Sequence, residues 1–179
     1  PGLAERSLRQ IIQPTLAGTR LRVVISNQYG EKPLVIAGAR IARSTGASGI
    51  DLSTDRAVTF NGRAGVTVLP GTSMMSDDVT FAVDAFENLA ISVHVLDVPE
   101  QLTGHPGSRT TSFIQPGDAL AQASWPDAQQ TDHWYLLASV EVLADPTAAA
   151  IVVLGDSITD GRGSTTYQND RWPNLLARR

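Results

Sequence analysis

The feature that most constrains this chain is a rhythm of short β-type runs, each cut off by a turn signal, which fills roughly the first 145 positions. Leu89, Ile91, Val93 and Val95 alternate strictly with Ala90, Ser92, His94 and Leu96, the period-2 pattern of a half-buried strand. Leu21, Val23 and Ile25 share one face of a run from Leu21 to Ser26 in the same way. Further runs are Leu34–Ile36, Ala39–Ala42, Ala57–Phe60, Val66–Leu69, Val79–Val83, Thr111–Ile114 and Tyr135–Leu143. Tyr29-Gly30, Asn61-Gly62, Pro70-Gly71 and Pro116-Gly117 break the chain between them. Many short strands with this punctuation predict an antiparallel, jelly-roll-like β-sandwich over residues 1–145.

The texture then changes. Asp145-Pro146-Thr147, followed by three alanines, reads as a seam between domains. Ile151-Val152-Val153-Leu154 is continuously apolar and β-branched, which predicts a strand covered on both faces within a parallel sheet. Near the end, Pro173 suits the first turn of a helix. Trp172, Leu175 and Leu176 fall on one face of that helix by their spacing. Residues 146–179 therefore read as the opening of a second, α/β domain. Such a strand needs neighbours, and the helix needs a sheet to receive its apolar stripe, so the expectation is that the rest of that domain follows Arg179.

Composition removes several classes of function. The chain is 42% hydrophobic and 18% charged, as in ordinary globular proteins. Its net charge of −4 is scattered without a basic run, which argues against nucleic acid or an anionic membrane surface as partner. No cysteine occurs, so neither a disulfide framework nor a thiolate zinc site can form. No histidine pair has metal-ligand spacing, and no cofactor motif stands out; the expectation is no metal and no cofactor. No apolar run approaches the ~20 residues that span a bilayer. The chain begins at Pro1 rather than methionine, so a removed leader is compatible with it and the lack of one is no evidence for the cytoplasm; the location stays open, with a secreted or periplasmic one somewhat favoured.

The stretch that carries chemistry is Gly155-Asp156-Ser157-Ile158-Thr159-Asp160-Gly161, directly after the apolar run. Ligands of open α/β sheets bind beyond the carboxyl ends of the strands, where Ser157 would stand. Gly155 permits a tight turn and a close backbone approach. A helical turn after Ser157 would offer free N–H groups to a developing oxyanion. A serine hydroxyl attacks poorly until a base takes its proton, so this chemistry requires a histidine partner.

The run from Ile151 to Gly161 resembles the first block of the SGNH/GDSL hydrolases. Gly163-Ser164-Thr165 and the segment from Arg171 to Arg179 are similar to that family's first loop and helix. A subgroup carries an N-terminal β domain, and Leu21–Ser26, Arg56–Phe60 and Thr110-Thr111-Ser112-Phe113 resemble it. The resemblance implies a three-layer α/β hydrolase domain and hydrolysis of carboxylic esters through an acyl-serine. It implies that Ser157 is the nucleophile, that its backbone N–H contributes to the oxyanion hole, and that Gly155 and Asp156 support it. The family's oxyanion glycine, its Asn-bearing block and its Asp-x-x-His block all follow the serine, whereas no histidine follows Ser157 here. The expected enzyme is thus active only with the hydrolase segment beyond Arg179, which counts as its first partner. Its substrate is a small-molecule or acylated-carbohydrate ester.

All three histidines precede the serine. His94 is expected on a solvated strand face, and His133 at a strand start or domain seam. His105 lies in Gly104-His105-Pro106-Gly107-Ser108-Arg109-Thr110-Thr111, a loop in which His105 and Arg109 are candidates to border the ester pocket. Asp51, Asp55, Asp77 and Asp78 read as turn residues. The rival reading is a non-catalytic β-sandwich module that recognises a glycan or another polymer.

Overall fold

A computed structural model describes residues 2–179. The chain is mostly β, as the alternation predicts. Its strands are β1 (Arg6–Ile12), β2 (Gly18–Ser26), β3 (Leu34–Gly46), β4 (Gly49–Ile50), β5 (Arg56–Val58), β6 (Val66–Val68), β7 (Ser73–Met75) and β8 (Val79–Val83). There follow β9 (Leu89–Asp97), β10 (Gly104–His105), β11 (Ser112–Pro116), β12 (Gln129–Thr131), β13 (Trp134–Tyr135) and β14 (Leu137–Val142), and then one short helix, α1 (Trp172–Ala177).

Among the described residues, the larger sheet runs β12-β11-β1-β9-β3-β4, with β5 and β6 also paired to β3. The second runs β14-β2-β7, with β8 also on β2, and β10 and β13 form a separate ribbon. The pairings are antiparallel. One apolar core draws on both main sheets, as in a sandwich. Leu89, Ile91, Val93 and Val95 of β9 join Leu21, Val23 and Ile25 of β2 and Phe81 and Val83 of β8.

The opposite face of β9 departs from expectation. Ala90, Ser92 and His94 are buried rather than solvated. His94 stands 3.5 Å from Asp118 through its Nδ1. The reason is a second cluster outside the sheet, in which Trp125 covers Ile11, Ala42, Ala90 and Phe113. Strand β1, absent from the sequence reading, lies between β9 and β11. It was hidden because Ser7, Arg9 and Gln10 fill buried positions where the pattern asks for apolar residues. Each is satisfied by a distant partner. Ser7 Oγ donates to Gly117 O at 2.9 Å, and Gln10 Nε2 donates to Tyr135 O at 3.0 Å. Arg9 donates to Ser92 Oγ at 2.8 Å and to the carbonyls of Ser48 and Gln122, with its guanidinium 4.0 Å over the Trp125 ring.

The end of the chain differs more. Ile151–Leu154 pairs with no strand among the described residues, and Val152 and Leu154 are 92% and 99% exposed. A parallel strand needs a parallel neighbour, and both main sheets are antiparallel throughout. Helix α1 forms with Pro173 in its first turn, as expected, and ends at Ala177. No helix among the described residues is long and apolar enough to cross a membrane.

Of the acidic residues read as turn residues, Asp51 and Asp77 accept from turn backbone, whereas Asp55 and Asp78 are ion-pair partners, Asp78 lying 3.1 Å from Arg20 and 3.2 Å from Arg22. Asp51 caps a 3-10 turn over Leu52–Thr54, and Asp55 pairs with Arg40 Nε at 2.7 Å. Asp77 accepts from Gly62 N–H at 2.8 Å, Thr59 Oγ1 at 2.7 Å and Asn61 N–H at 3.0 Å. The Gly62 and Thr59 hydrogen bonds lead in holding its carboxyl below the usual range. A depressed folded-state pKa contributes stability above the unfolded value, and that contribution is lost as pH falls through the folded value. Urea melts should therefore show Asp77→Ala less stable than wild type at neutral pH. The gap should begin to close as pH falls below about 3.9, the ordinary Asp value, and go on closing through the lower folded-state value; a gap independent of pH would contradict this. Trp125→Ala should cost about 3–5 kcal/mol, since it opens a cavity and uncovers Arg9. A loss under about 1 kcal/mol in the same melts would show that the outer cluster does not hold the sheet.

Candidate active site

The Ser157 segment is a compact turn built by local hydrogen bonds. Asp156 Oδ1 accepts the Ile158 N–H at 2.9 Å, an Asx turn that sets the entry angle of the chain. The turn then closes through Asp160 N–H to Asp156 O at 3.0 Å, Gly161 N–H to Ile158 O at 3.1 Å and Arg162 N–H to Ser157 O at 2.7 Å. These bonds wind the backbone helically for about one turn without continuing as a helix. Ser157 is exposed at its head. Among the described residues, no hydrogen bond engages its hydroxyl or its backbone N–H.

Two glycines make this turn possible for different reasons. A Cβ on Gly155 would overlap the Thr159 side chain, which folds back over it. Gly161 has φ +96°, a conformation side chains resist, and a Cβ there would collide with the Cγ and Cδ of Arg171. Arg171 donates through Nε to Asn174 Oδ1 at 2.8 Å and through a terminal nitrogen to Asn169 Oδ1 at 3.2 Å. The start of α1 is thereby packed on the serine turn. Hydrogen bonding from Thr165 is the foremost cause holding the Asp170 carboxyl below its ordinary range, with the Thr165 N–H at 3.0 Å.

The loop from Gly104 to Thr111 reaches this turn from the β-sandwich. His105 Nε2 lies 2.7 Å from Asp160 Oδ1. Arg109 Nε donates to Gly161 O at 3.1 Å, and Arg109 O accepts the Tyr167 N–H at 2.9 Å. Of the residues singled out in the sequence, His105 and Arg109 meet the turn that carries Gly155, Asp156 and Ser157, but at Asp160 and Gly161 rather than at those three. It does not bring a histidine to Ser157. His105 is engaged by Asp160, His133 donates through Nδ1 to Pro106 O at 2.6 Å, and His94 is buried beside Asp118. Asp160, Gly161 and Tyr167 as contact points for that loop were not read from the sequence. Gly161 between Asp160 and Arg162 was a signal for a special backbone position, but nothing local identified its partner.

Compared with protein-family models and with curated proteins, the chain matches neither a family model nor a curated protein.

Gly161→Ala should introduce about 1–3 kcal/mol of backbone strain and displace Arg171. Amide exchange at Gly161 and Arg162 measures this, and faster exchange than wild type is expected. Unchanged protection would show that the turn does not depend on that glycine.

Proposed function

We propose that this chain supplies the nucleophile of an SGNH/GDSL-type serine ester hydrolase. The observation that carries this reading is Ser157. It stands exposed at the head of a hydrogen-bonded turn, immediately after an apolar run, with hydroxyl and N–H uncommitted among the described residues. That is the arrangement an attacking serine requires, since a hydroxyl already bound within the fold must first be released. Its free N–H is suited to a tetrahedral oxyanion, and the Asx turn at Asp156 holds the Ile158 N–H out of competition.

In this reading Ser157 Oγ attacks the ester carbonyl while a histidine beyond Arg179 takes its proton. The tetrahedral intermediate collapses, the histidine returns the proton to the departing alkoxide, and an alcohol leaves. Water, deprotonated by the same histidine, then cleaves the acyl-serine to the free acid and restores Ser157. Ile151–Leu154 becomes the first strand of a three-layer α/β unit, with α1 packed on its sheet. The exposure of Val152 and Leu154 supports this, because an apolar run gains roughly 25 cal/mol for each Å² of surface removed from water. The substrate is a small-molecule or acylated-carbohydrate ester.

A fluorophosphonate should label Ser157 in the full-length protein. Ser157→Ala should abolish labelling and lower ester turnover by several orders of magnitude while the fold persists. Retention of more than about a tenth of wild-type turnover, under ~1.4 kcal/mol of barrier, would overturn the assignment. An absence of both labelling and turnover in the full-length protein would favour a binding module instead.

A further inference from the structure

Among the described residues, the loop between β10 and β11 is where the β-sandwich takes hold of the serine turn by side chains. It is stiffened from its own side. Gly104 and His105 pair with Tyr135 and Trp134, and buried Ser108 Oγ donates to Thr110 O at 3.0 Å. Thr111 Oγ1 donates to Asp132 Oδ1 at 3.0 Å, and Ser112 Oγ donates to His133 O at 2.6 Å. From this footing it makes polar contacts to Asp160 and Gly161 of the turn and to Tyr167 beyond it. The approach is close enough that a Cβ on Gly107 would stand 2.9 Å from Asp160 Oδ2. Arg109 takes a left-handed backbone conformation, φ +57°, while its carbonyl receives the Tyr167 N–H. A non-glycine residue held there is strained, and the surrounding contacts must offset that strain.

We propose that His105 and Arg109 are positioning residues for Ser157: through Asp160 and Gly161 they lock the turn that aims the nucleophile, so that the β-sandwich sets the geometry of catalysis. The inference rests on the ester-hydrolase reading. Asp160 is three residues after Ser157, and Arg162, next to Gly161, donates its N–H to Ser157 O at 2.7 Å. A shift at Asp160 or Gly161 is therefore passed to Ser157 through the backbone. Stability alone does not explain the arrangement. The His105 and Asp160 side chains are 40% and 42% exposed, and a pair that open to water contributes little to folding. Misplacing a nucleophile by an ångström, by contrast, can cost roughly a hundredfold in rate. His105 meets Asp160 through Nε2, which can donate in the neutral ring as well as in the charged one. This role is thus distinct from that of the general base.

The test uses the full-length protein, with p-nitrophenyl acetate turnover and amide exchange over residues 158–163 as readouts. His105→Gln and Asp160→Asn should each lower kcat roughly ten- to a hundredfold with KM nearly unchanged. The double variant should be no slower than the slower single one, because both changes break one contact. Arg109→Lys should recover part of the kcat lost in Arg109→Ala. Exchange over the turn should quicken in His105→Gln and Asp160→Asn. Unchanged exchange overturns the proposal, as does wild-type kcat in both single variants or a double variant whose losses multiply. Ser157→Ala is the separate control. If it stays active, the hydrolase reading falls, and the positioning role falls with it, whatever the exchange shows. If it is inactive while His105→Gln and Asp160→Asn turn over normally, only the positioning role falls.

Discussion

Strand β9 must be buried on both faces, and the rest of the sandwich is arranged around that requirement. Toward the second sheet the solution is apolar: Leu89, Ile91, Val93 and Val95 meet side chains of β2 and β8. Away from it the solution is a charge. Arg9 lies across Ser92 on the outer face, under Trp125, with its donors spent on Ser92 Oγ and on two backbone carbonyls from loops distant in sequence. Burial lowers its pKa to about 10, against a partial counter-effect from Asp55, so it stays protonated at neutral pH. A buried cation without partners would be strongly destabilising. Arg9 therefore obliges the segments bearing Ser48 and Gln122 to fold over the sheet, and Trp125 comes with them.

The same sheet carries the footing of the loop that meets Ser157. Gln10 of β1 exchanges hydrogen bonds with the Tyr135 backbone, and Tyr135 belongs to the ribbon that includes His105. Ser112, at the start of β11, ties in His133. A continuous path of short-range contacts thus runs from the buried β1 to Asp160 and Gly161. The turn is shaped by its own local hydrogen bonds, and the sandwich loop meets it from outside at Asp160 and Gly161.

Much of the β architecture was legible because period-2 alternation reports a face turned toward a core, and Leu89–Leu96 and Leu21–Ser26 show it without interruption. Strand β1 was not legible, since Ser7, Arg9 and Gln10 look solvent-facing until their partners at Gly117, Ser92 and Tyr135 are known. His94 was misplaced for the same reason: a polar residue on the alternate face reads as solvated unless a separate segment covers it. The serine segment was legible as a turn, with Asp156 making the Asx bond to the Ile158 N–H and a Cβ on Gly155 excluded by Thr159. His105 and Arg109 were visible as members of a glycine-rich loop, but their contacts to Asp160 and Gly161 join distant parts of the chain and leave no local signal.

By itself, the sequence determined the strands with regular alternation, the turn at Asp51, Pro173 in the first turn of α1, and the local backbone demands of the serine segment. All of these depend on neighbours within a few residues, where side-chain spacing and backbone conformation are set by covalent geometry. Only the tertiary structure decided that β1 lies between β9 and β11, that Arg9 is buried under Trp125, and that the sandwich loop holds Asp160 and Gly161. Those outcomes join residues from about 40 to over 110 positions apart, and nothing in local spacing records which distant donor will meet which acceptor.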